Sequence, residues 1–375
     1  ARGSGRSPLS RRWRRRYRRR RVAAAAVLAG LLALLALGAF WGGRKPEEAR
    51  GPSGAPQEEG AAEDPLPYRP IPPPEDAVPL RERLGGVDTR LERLAVGGPG
   101  GERSVPAGRT LLAGVRDASD GPLREHRLVA YYGTPLSDQM GVLGEHPPEE
   151  VMELLAGQAA AYSAADPGRP AVPTIELIAS IAQREPGADG LYVSRTDPGV
   201  IRDYARLARE HGALLMLDVQ LGRASVMEEV RALREFLELP HVHLAIDTEY
   251  SVEPGEVPGV DLGSVDGSEI DRAVRYLDRI VEEEGIPDKV LLVHEFQGGI
   301  VTNKDAIRPT DDVEVVLHAD GFGLARHKFT KYRALVRGQP VQYGGFKVFY
   351  NLDEPVLEPE QVLMLDPAPA VVTYQ

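Results

Sequence analysis

The sequence predicts an α/β fold, most simply a (β/α)8 TIM-type barrel, and three observations support this. Eight short aliphatic or β-branched runs occur between Arg127 and Gln375. Several of these runs are apolar throughout, which is typical of parallel strands buried on both faces. Amphipathic stretches of helical length separate most of them, as expected for repeated right-handed βαβ units that close into a barrel.

The predicted strands and helices alternate along the chain. The strands are residues 128–132, 174–179, 213–218, 242–247, 289–294, 313–318, 345–350 and 370–374. The helices are residues 147–162, 197–211, 225–237, 268–285 and 329–336. Residues 191–194 are also typical of a strand, and we assign them to a small hairpin after the second strand.

Two further features bear on how the sheet closes. No glycine-rich phosphate-binding turn follows the first strand, which disfavours the alternative of a doubly wound open sheet. The sequence stops at Gln375, within or just after the eighth strand, so the barrel is expected to lack its last helix. Residues 79–95 or 106–120 are candidates to cover the resulting gap.

A long apolar segment near the N-terminus predicts one transmembrane helix. Residues 22–41, which begin at Val22 and end at Trp41, contain no charged side chain, and about 20 helical residues span the hydrocarbon core. Arginines crowd residues 1–21, so the positive-inside rule places this basic tail in the cytoplasm and the C-terminal domain outside. We therefore expect a single-pass protein of the cell membrane. The alternative is a cleaved signal peptide, with residues 36–38 as a weak cleavage site.

Two segments connect the apolar run to the barrel domain. Residues 42–77 are rich in Pro, Gly and Glu and lack apolar periodicity, which predicts a disordered linker. Residues 78–126 are expected to form a short helical or irregular lead-in, and residues 127–375 form the barrel domain.

Composition excludes several classes of function. The chain has no cysteine, which removes disulfides, thiolate metal sites and cysteine nucleophiles. Its net charge is -11 although its N-terminus is rich in arginine, so the remainder is strongly acidic and is not expected to bind nucleic acid. No serine or threonine lies in a nucleophile-elbow context, which disfavours a serine hydrolase. No cofactor is predicted.

Polar side chains gather where the predicted strands end, and barrel enzymes carry their active sites at that face. Because alternate strand residues share a face, Asp247 and Glu249 are expected to point the same way. Inward carboxylates cost free energy of desolvation unless they have a partner or a task. Two close carboxyl groups also raise the pKa of one of them, which suits a general acid.

The strand ends supply two sets of candidate residues. The candidate catalytic residues are Glu249, Asp247, Asp218, Glu295 and Asp320. The candidate substrate-binding residues are Tyr132, Gln220, Tyr250, His294, His318, Tyr350 and Asn351. The tyrosine rings in the second set would suit stacking on a sugar.

One short motif resembles a known group of enzymes. Asp247-Thr248-Glu249-Tyr250 at the fourth strand resembles the Asp-x-Glu signature of the glycoside hydrolase superfamily of barrels, found in Chalaropsis-type lysozymes and family 18 chitinases. Tyr131-Tyr132-Gly133 is similar to the chitinase first strand. The resemblance implies that Glu249 is the proton donor and that Asp247 assists it.

We therefore expect a membrane-anchored, glycoside hydrolase-like protein that acts on a cell-envelope or extracellular polysaccharide, peptidoglycan included. A non-catalytic barrel that binds glycan or protein is the first alternative, because the chitinase motif has aspartates where this chain has Val242 and Ala245. The second alternative is a metal-dependent hydrolase in which His294 and His318 act with Asp218, Glu295 or Asp320. The main hypothesis includes no metal ligand.

Overall fold

A computed structural model describes residues 66–78, 80, 119–337, 339 and 343–375. The predicted basic tail, the apolar segment 22–41 and most of the linker lie outside these residues, as do most of 79–95 and 106–120. Among the residues that are described, no helix is both long and apolar enough to cross a membrane.

Eleven strands are present in the described part of the chain. In chain order they are β1 Arg127–Gly133, β2 Ala171–Ala182, β3 Val193–Arg195, β4 Leu214–Gln220, β5 Val242–Asp247, β6 Val265–Asp266, β7 Lys289–Glu295, β8 Val301–Thr302, β9 Val313–Ala319, β10 Tyr343–Val348 and β11 Val371–Tyr374.

Eight of these strands form a closed parallel ring. Their order is β1, β2, β4, β5, β7, β9, β10, β11, and β1 pairs in parallel with both β2 and β11, which closes the ring. The predicted barrel is thereby confirmed. The short strand β3 pairs antiparallel with the end of β2, as the predicted hairpin requires, while β6 and β8 form a separate two-stranded sheet.

Eight α-helices accompany the strands in the described residues. They are α1 Val142–Glu145, α2 Pro148–Ala165, α3 Pro198–His211, α4 Val226–Ala232, α5 Arg234–Leu237, α6 Gly267–Glu284, α7 Ala325–Leu335 and α8 Pro359–Val362. A capping box of Ser225 and Glu228 begins α4, and Gly212, with φ 66, ends α3 in the left-handed region that favours glycine.

One predicted helix is divided, and helices α1 and α8 were not predicted. The predicted helix 225–237 is divided at Leu233 into α4 and α5. Between β7 and β9, where no helix was predicted, the described chain has β8 and the 3-10 turn Lys304–Ala306.

The inward-facing apolar residues form their own buried cluster inside the ring. It includes Leu128, Val172, Leu214, Met216, Ala245, Leu292, Val316 and Val371. Tyr68 joins this cluster from the N-terminal side and is only 6% exposed.

Residues 66–78, of which 66–77 were predicted to belong to the disordered linker, lie against the barrel. The Arg69 N–H donates to the Gly212 carbonyl at 2.7 Å, and the Ile71 N–H donates to the Ala171 carbonyl at 2.8 Å. These two bonds and the buried Tyr68 ring explain why a proline-rich stretch is ordered at this point.

Candidate functional site

The half of the barrel lumen near the carboxyl ends of the strands is polar, although it is buried. Each of the eight barrel strands contributes one inward residue, and two further residues follow along β4 and after β9. We call this group the lumen cluster: Tyr132, Glu176, Asp218, Gln220, Asp247, His294, His318, Asp320, Lys347 and Thr373.

His294 lies between two carboxylates. Its Nε2 is 2.7 Å from Glu176 Oε1, and its Nδ1 is 3.2 Å from Asp320 Oδ2. Burial lowers the pKa of the His294 imidazole, but Glu176 and Asp320 outweigh it and hold this pKa well above its usual value. Glu176 is fixed in turn by Thr373, whose hydroxyl donates to Oε2 at 2.8 Å.

Lys347 is the other cation of the lumen cluster. Its Nζ donates to Asp320 Oδ2 at 2.9 Å and lies 3.8 Å from the centre of the Tyr132 ring. Burial alone raises the pKa of Asp320, yet Lys347 and His294 hold it well below the usual range. Burial lowers the pKa of Lys347, and Asp320 and Glu176 raise it above its usual value.

Asp218 is held at one oxygen only. The Tyr132 hydroxyl donates to Asp218 Oδ2 at 3.0 Å, and the Gln220 amide donates to the Tyr132 oxygen at 3.3 Å. Asp218 Oδ1 has no hydrogen-bond partner among the described residues. Burial raises the pKa of Asp218 to about 6, against the opposing charge of His294.

Asp247 and Glu249 lie at the mouth of the barrel. Strand β5 ends at Asp247, and Thr248–Tyr250 form a 3-10 turn, so strand alternation does not extend to Glu249. The two carboxyl groups interact nonetheless. Burial raises the pKa of Asp247 well above its usual value, and the charges of Asp218 and Glu249 add to this.

Glu249 is partly exposed, whereas the residues of the lumen cluster are buried. Burial raises its pKa, and the charge of Asp320 raises it further. Tyr250 shares this position, since burial and then the charges of Asp247 and Glu249 raise its pKa. These residues therefore form a rim above the lumen cluster.

Three of the predicted site residues lie elsewhere. Glu295 follows the inward His294 on β7 and so faces the opposite side, where its Oε2 accepts from Lys304 Nζ at 2.7 Å. Tyr350 packs outside the ring, with its ring centre 5.0 Å from that of Tyr374. Asn351 is exposed and contacts Glu145 at 3.4 Å.

The sequence analysis missed Glu176, Lys347 and Thr373. All three are buried on barrel strands, and Glu176 and Lys347 lie between apolar neighbours. The sequence does indicate Glu176 and Lys347, because a charged side chain inside an otherwise apolar buried strand needs a partner or a task. Their positions within the strands, away from the strand ends where the other polar residues gather, kept them out of the prediction.

Part of the lumen cluster has the composition of a metal site. Ligand atoms of Glu176, Asp218 and His294 all lie within 4.8 Å of one another. The ring of His318 is 4.7 Å from that of His294, centre to centre, and neither nitrogen of His318 has a hydrogen-bond partner in the described chain. The structure thus brings the two predicted histidines together with the predicted Asp218 and Asp320 and with Glu176, which was not predicted, whereas Glu295 lies elsewhere.

A cavity of about 390 Å³ lies outside the ring, away from the lumen cluster. Apolar side chains line most of it, including Ile201, Leu233 and Phe236. Of its charged residues, Arg195 and Glu229 form an ion pair at 2.6 Å, Asp197 caps α3, and Glu235 lies 3.8 Å from Arg202. The acid–base chemistry of the described residues lies at the barrel mouth and not here.

Comparison with known proteins adds two negative findings. No protein-family model matches the chain, and no curated protein matches it significantly.

Proposed function

We propose that this chain is a glycoside hydrolase-like protein whose active site is the mouth of the barrel and whose proton donor is Glu249. One observation carries the proposal. Glu249 is partly exposed at the carboxyl-end face and interacts electrostatically with Asp247 and Asp320, which are buried beneath it. Barrel enzymes use this face for catalysis.

The environment of Glu249 suits an acid. Burial and the neighbouring Asp320 charge raise its pKa, so its carboxyl group stays protonated to a higher pH than a free side chain. A protonated carboxyl at the mouth can donate to the leaving oxygen of a glycosidic bond. Asp247, directly behind it, is the assisting carboxyl that the Asp-x-Glu resemblance implies, and Asp320 is a further carboxylate beside the mouth.

The loops around the mouth offer apolar surface. Leu136, Phe322, Leu324 and Leu352 are exposed, and all lie on loops that follow β1, β9 or β10. Phe322 is 58% exposed, and its ring packs edge-on against that of Phe349 at 5.7 Å. Aromatic and aliphatic side chains of this kind suit the faces of sugar rings, which favours a polysaccharide.

We also propose, from the apolar segment 22–41 and the arginines that precede it, that the C-terminal domain lies on the extracytoplasmic side of the cell membrane. If residues 22–41 anchor the chain with its C-terminal domain outside, the polysaccharide belongs to the cell envelope or the surroundings, and peptidoglycan is included. Fusions of a periplasmic and a cytoplasmic reporter to the C-terminus test this topology. Activity of the cytoplasmic reporter alone would contradict it.

The experiment for the proposed activity is a hydrolysis assay on a panel of envelope and extracellular polysaccharides. We expect release of reducing ends by the wild-type chain and a loss of about 10²–10⁴-fold in Glu249→Gln, the usual contribution of a general acid. Glu295→Gln is the matched control, because Glu295 is a buried carboxylate of the same barrel end that bonds to Lys304 outside the ring. Equal activity of Glu249→Gln and wild type would rule out the assigned role.

A non-catalytic glycan-binding barrel is the second candidate, and one observation favours it. The lumen cluster satisfies much of its own charge, through the contacts of Lys347 with Asp320 and of His294 with Glu176. Ion pairs of this kind also occur in proteins where their role is structural and not catalytic. Binding of a glycan without turnover, unchanged in Glu249→Gln, would support this candidate.

A further inference from the structure

We propose that the lumen cluster binds one divalent transition-metal ion through Glu176, Asp218 and His294. The three side chains project inward from β2, β4 and β7 and are fully or almost fully buried. This inference goes beyond the proposed hydrolysis, since it requires neither Glu249 nor turnover.

The ligand atoms have suitable spacing. His294 Nε2 lies 2.7 Å from Glu176 Oε1 and 4.0 Å from Asp218 Oδ1. Two atoms that are each about 2.1 Å from one ion lie at most about 4.2 Å apart. All three atoms lie within 4.8 Å of one another, so a rotation of the side chains would place them on one ion.

The atoms that would not bind the ion are held by neighbours. Thr373 donates to the far oxygen of Glu176 at 2.8 Å, and Tyr132 donates to the far oxygen of Asp218 at 3.0 Å. Asp320 Oδ2 lies 3.2 Å from Nδ1 of His294, the nitrogen away from the site. Metal ligands are typically oriented in this way, and a carboxylate behind a ligating histidine is the commonest form.

A separate observation points to a missing ligand in the same place. Asp218 Oδ1 is buried and has no hydrogen-bond partner among the described residues, although its other oxygen is bonded. His318 is also fully buried, next to His294, with neither nitrogen bonded within the described chain. Buried polar atoms are almost always satisfied, so these atoms call for a partner. His318 is the candidate for a fourth ligand.

Charge supports a cation rather than an anion. Lys347 is the permanent cation of the lumen cluster, and His294 supplies a second charge only when protonated. Against them stand the carboxyl groups of Glu176, Asp218 and Asp320, while burial favours the neutral form of Asp247. Because Nε2 of His294 must lose its proton to bind a metal, His294 supplies no charge once the ion is bound. A divalent ion would offset the surplus negative charge of this buried site.

The donor set limits the kind of ion. Two carboxylates and one imidazole, in a chain without cysteine, suit Zn²⁺, Mn²⁺ or Fe²⁺ and not a soft ion such as Cu⁺. Zn²⁺ should bind more tightly than Mn²⁺ in this set, in keeping with the general order of divalent affinities.

The test is a zinc titration of the full-length chain after chelator treatment, by calorimetry and by elemental analysis of the re-equilibrated protein. We expect about one equivalent of Zn²⁺ and a loss of at least about tenfold in affinity in Glu176→Gln and Asp218→Asn. Glu295→Gln is the control and should bind as the wild type does. Less than about a fifth of an equivalent in wild type, or equal affinity in both ligand variants, would overturn the proposal.

Two further variants keep the test decisive if a ligand variant fails to fold. Tyr132→Phe removes the hydrogen bond that orients Asp218, together with the one that Tyr132 accepts from Gln220, and Thr373→Val removes the bond that orients Glu176. Each should weaken zinc binding by about 10–100-fold. Unchanged affinity in both would contradict the assigned ligands. Because zinc binding is measured without substrate, its failure is distinguishable from the failure of the proposed hydrolysis.

Discussion

At the scale of single residues, the barrel mouth brings together carboxyl groups whose surroundings favour opposite protonation states. Lys347 and His294 stabilise the ionised form of Asp320, whereas burial favours the neutral forms of Asp247 and Glu249. A separation of this kind is how one site can hold an acid and a base at the same pH.

The raised pKa of Glu249 leads to a prediction about pH. A general acid must be protonated, so kcat/KM should fall as pH rises through the pKa of Glu249, which lies above the ordinary 4.5 of a glutamate. The measurement is a pH–rate profile on a cleaved polysaccharide. A kcat/KM that does not fall over this pH range would be inconsistent with proton donation by Glu249. The same fall of kcat/KM in Glu249→Gln would be equally inconsistent with it.

Asp288, which lies far from the barrel mouth, leads to a prediction about the pH dependence of stability. Burial raises its pKa from 3.8 to about 7. A group whose pKa is raised by folding contributes stability below its unfolded pKa, and this contribution is lost as pH rises through about 7. We therefore expect the Tm to fall between pH 4 and pH 8, and Asp288→Asn to flatten this slope and to raise the Tm at pH 8.

The Asn substitution can preserve the hydrogen bond from the Asp120 backbone, because its amide oxygen can still accept the Asp120 N–H that now lies 2.8 Å from Asp288 Oδ2. Asp305→Asn is the matched control, since Asp305 is exposed. Equal Tm slopes for Asp288→Asn and the control would show that Asp288 is not responsible.

At the scale of elements, strand β10 depends on a glycine to leave room for the lumen cluster. A Cβ at Gly345 would lie 2.4 Å from Cδ2 of His318 on the neighbouring strand β9. No real Cβ approaches another heavy atom that closely, so the ring of His318 can hold its position only because β10 has a glycine beside it.

Gly345→Ala is therefore expected to destabilise the fold by about 1–3 kcal/mol, the usual cost of overpacking a core, and to displace His318. Gly157→Ala is the opposite case, because Gly157 is exposed in helix α2 with open space around it, and alanine should stabilise by about 0.5–1 kcal/mol. Urea denaturation of both variants measures the difference. Equal stabilities would contradict the packing described for β10.

The elements themselves could largely be predicted, since their apolar periodicity is local. The strand β7 is an apolar run followed by His294, and Gly212 marks the end of α3. The strand predicted at 345–350 in fact ends at Val348, which is why Tyr350 was assigned to the mouth and instead packs outside it. A shift of two residues at a strand end is enough to misplace a side chain.

The candidate site was only partly predictable for a different reason. Asp218, Asp247 and His294 could be found because parallel strands end at one face of a barrel. Glu176 and Lys347 lie within strands, and only the three-dimensional ring shows that they contact His294 and Asp320. Glu295 could have been excluded, because it neighbours an inward residue on the same strand.

At the scale of the whole molecule, the two ends of the barrel differ in the residues that occupy them. The carboxyl end carries the lumen cluster, whereas the amino end is covered by residues 66–78, with Tyr68 buried against the inner apolar cluster. The segment that leads into the domain is thus part of its core.

This arrangement predicts that Tyr68→Ala destabilises the domain by about 3–5 kcal/mol, as for other buried aromatic residues. Leu66→Ala, two residues earlier, should change the free energy of unfolding by no more than about 0.5 kcal/mol, because Leu66 is 54% exposed. Chemical denaturation of the two variants measures this. Similar values for both would mean that the segment does not pack on the barrel in solution.

The central claim is that a sugar chain is cleaved at the barrel mouth by proton donation from Glu249. The most direct measurement is a crystal structure of Glu249→Gln with an oligosaccharide that the wild-type chain cleaves. We predict that the sugar lies across the mouth, with a glycosidic oxygen about 3 Å from the side chain of residue 249. Sugar bound only in the cavity outside the ring, or at the mouth with no glycosidic oxygen within reach of that side chain, would contradict the claim.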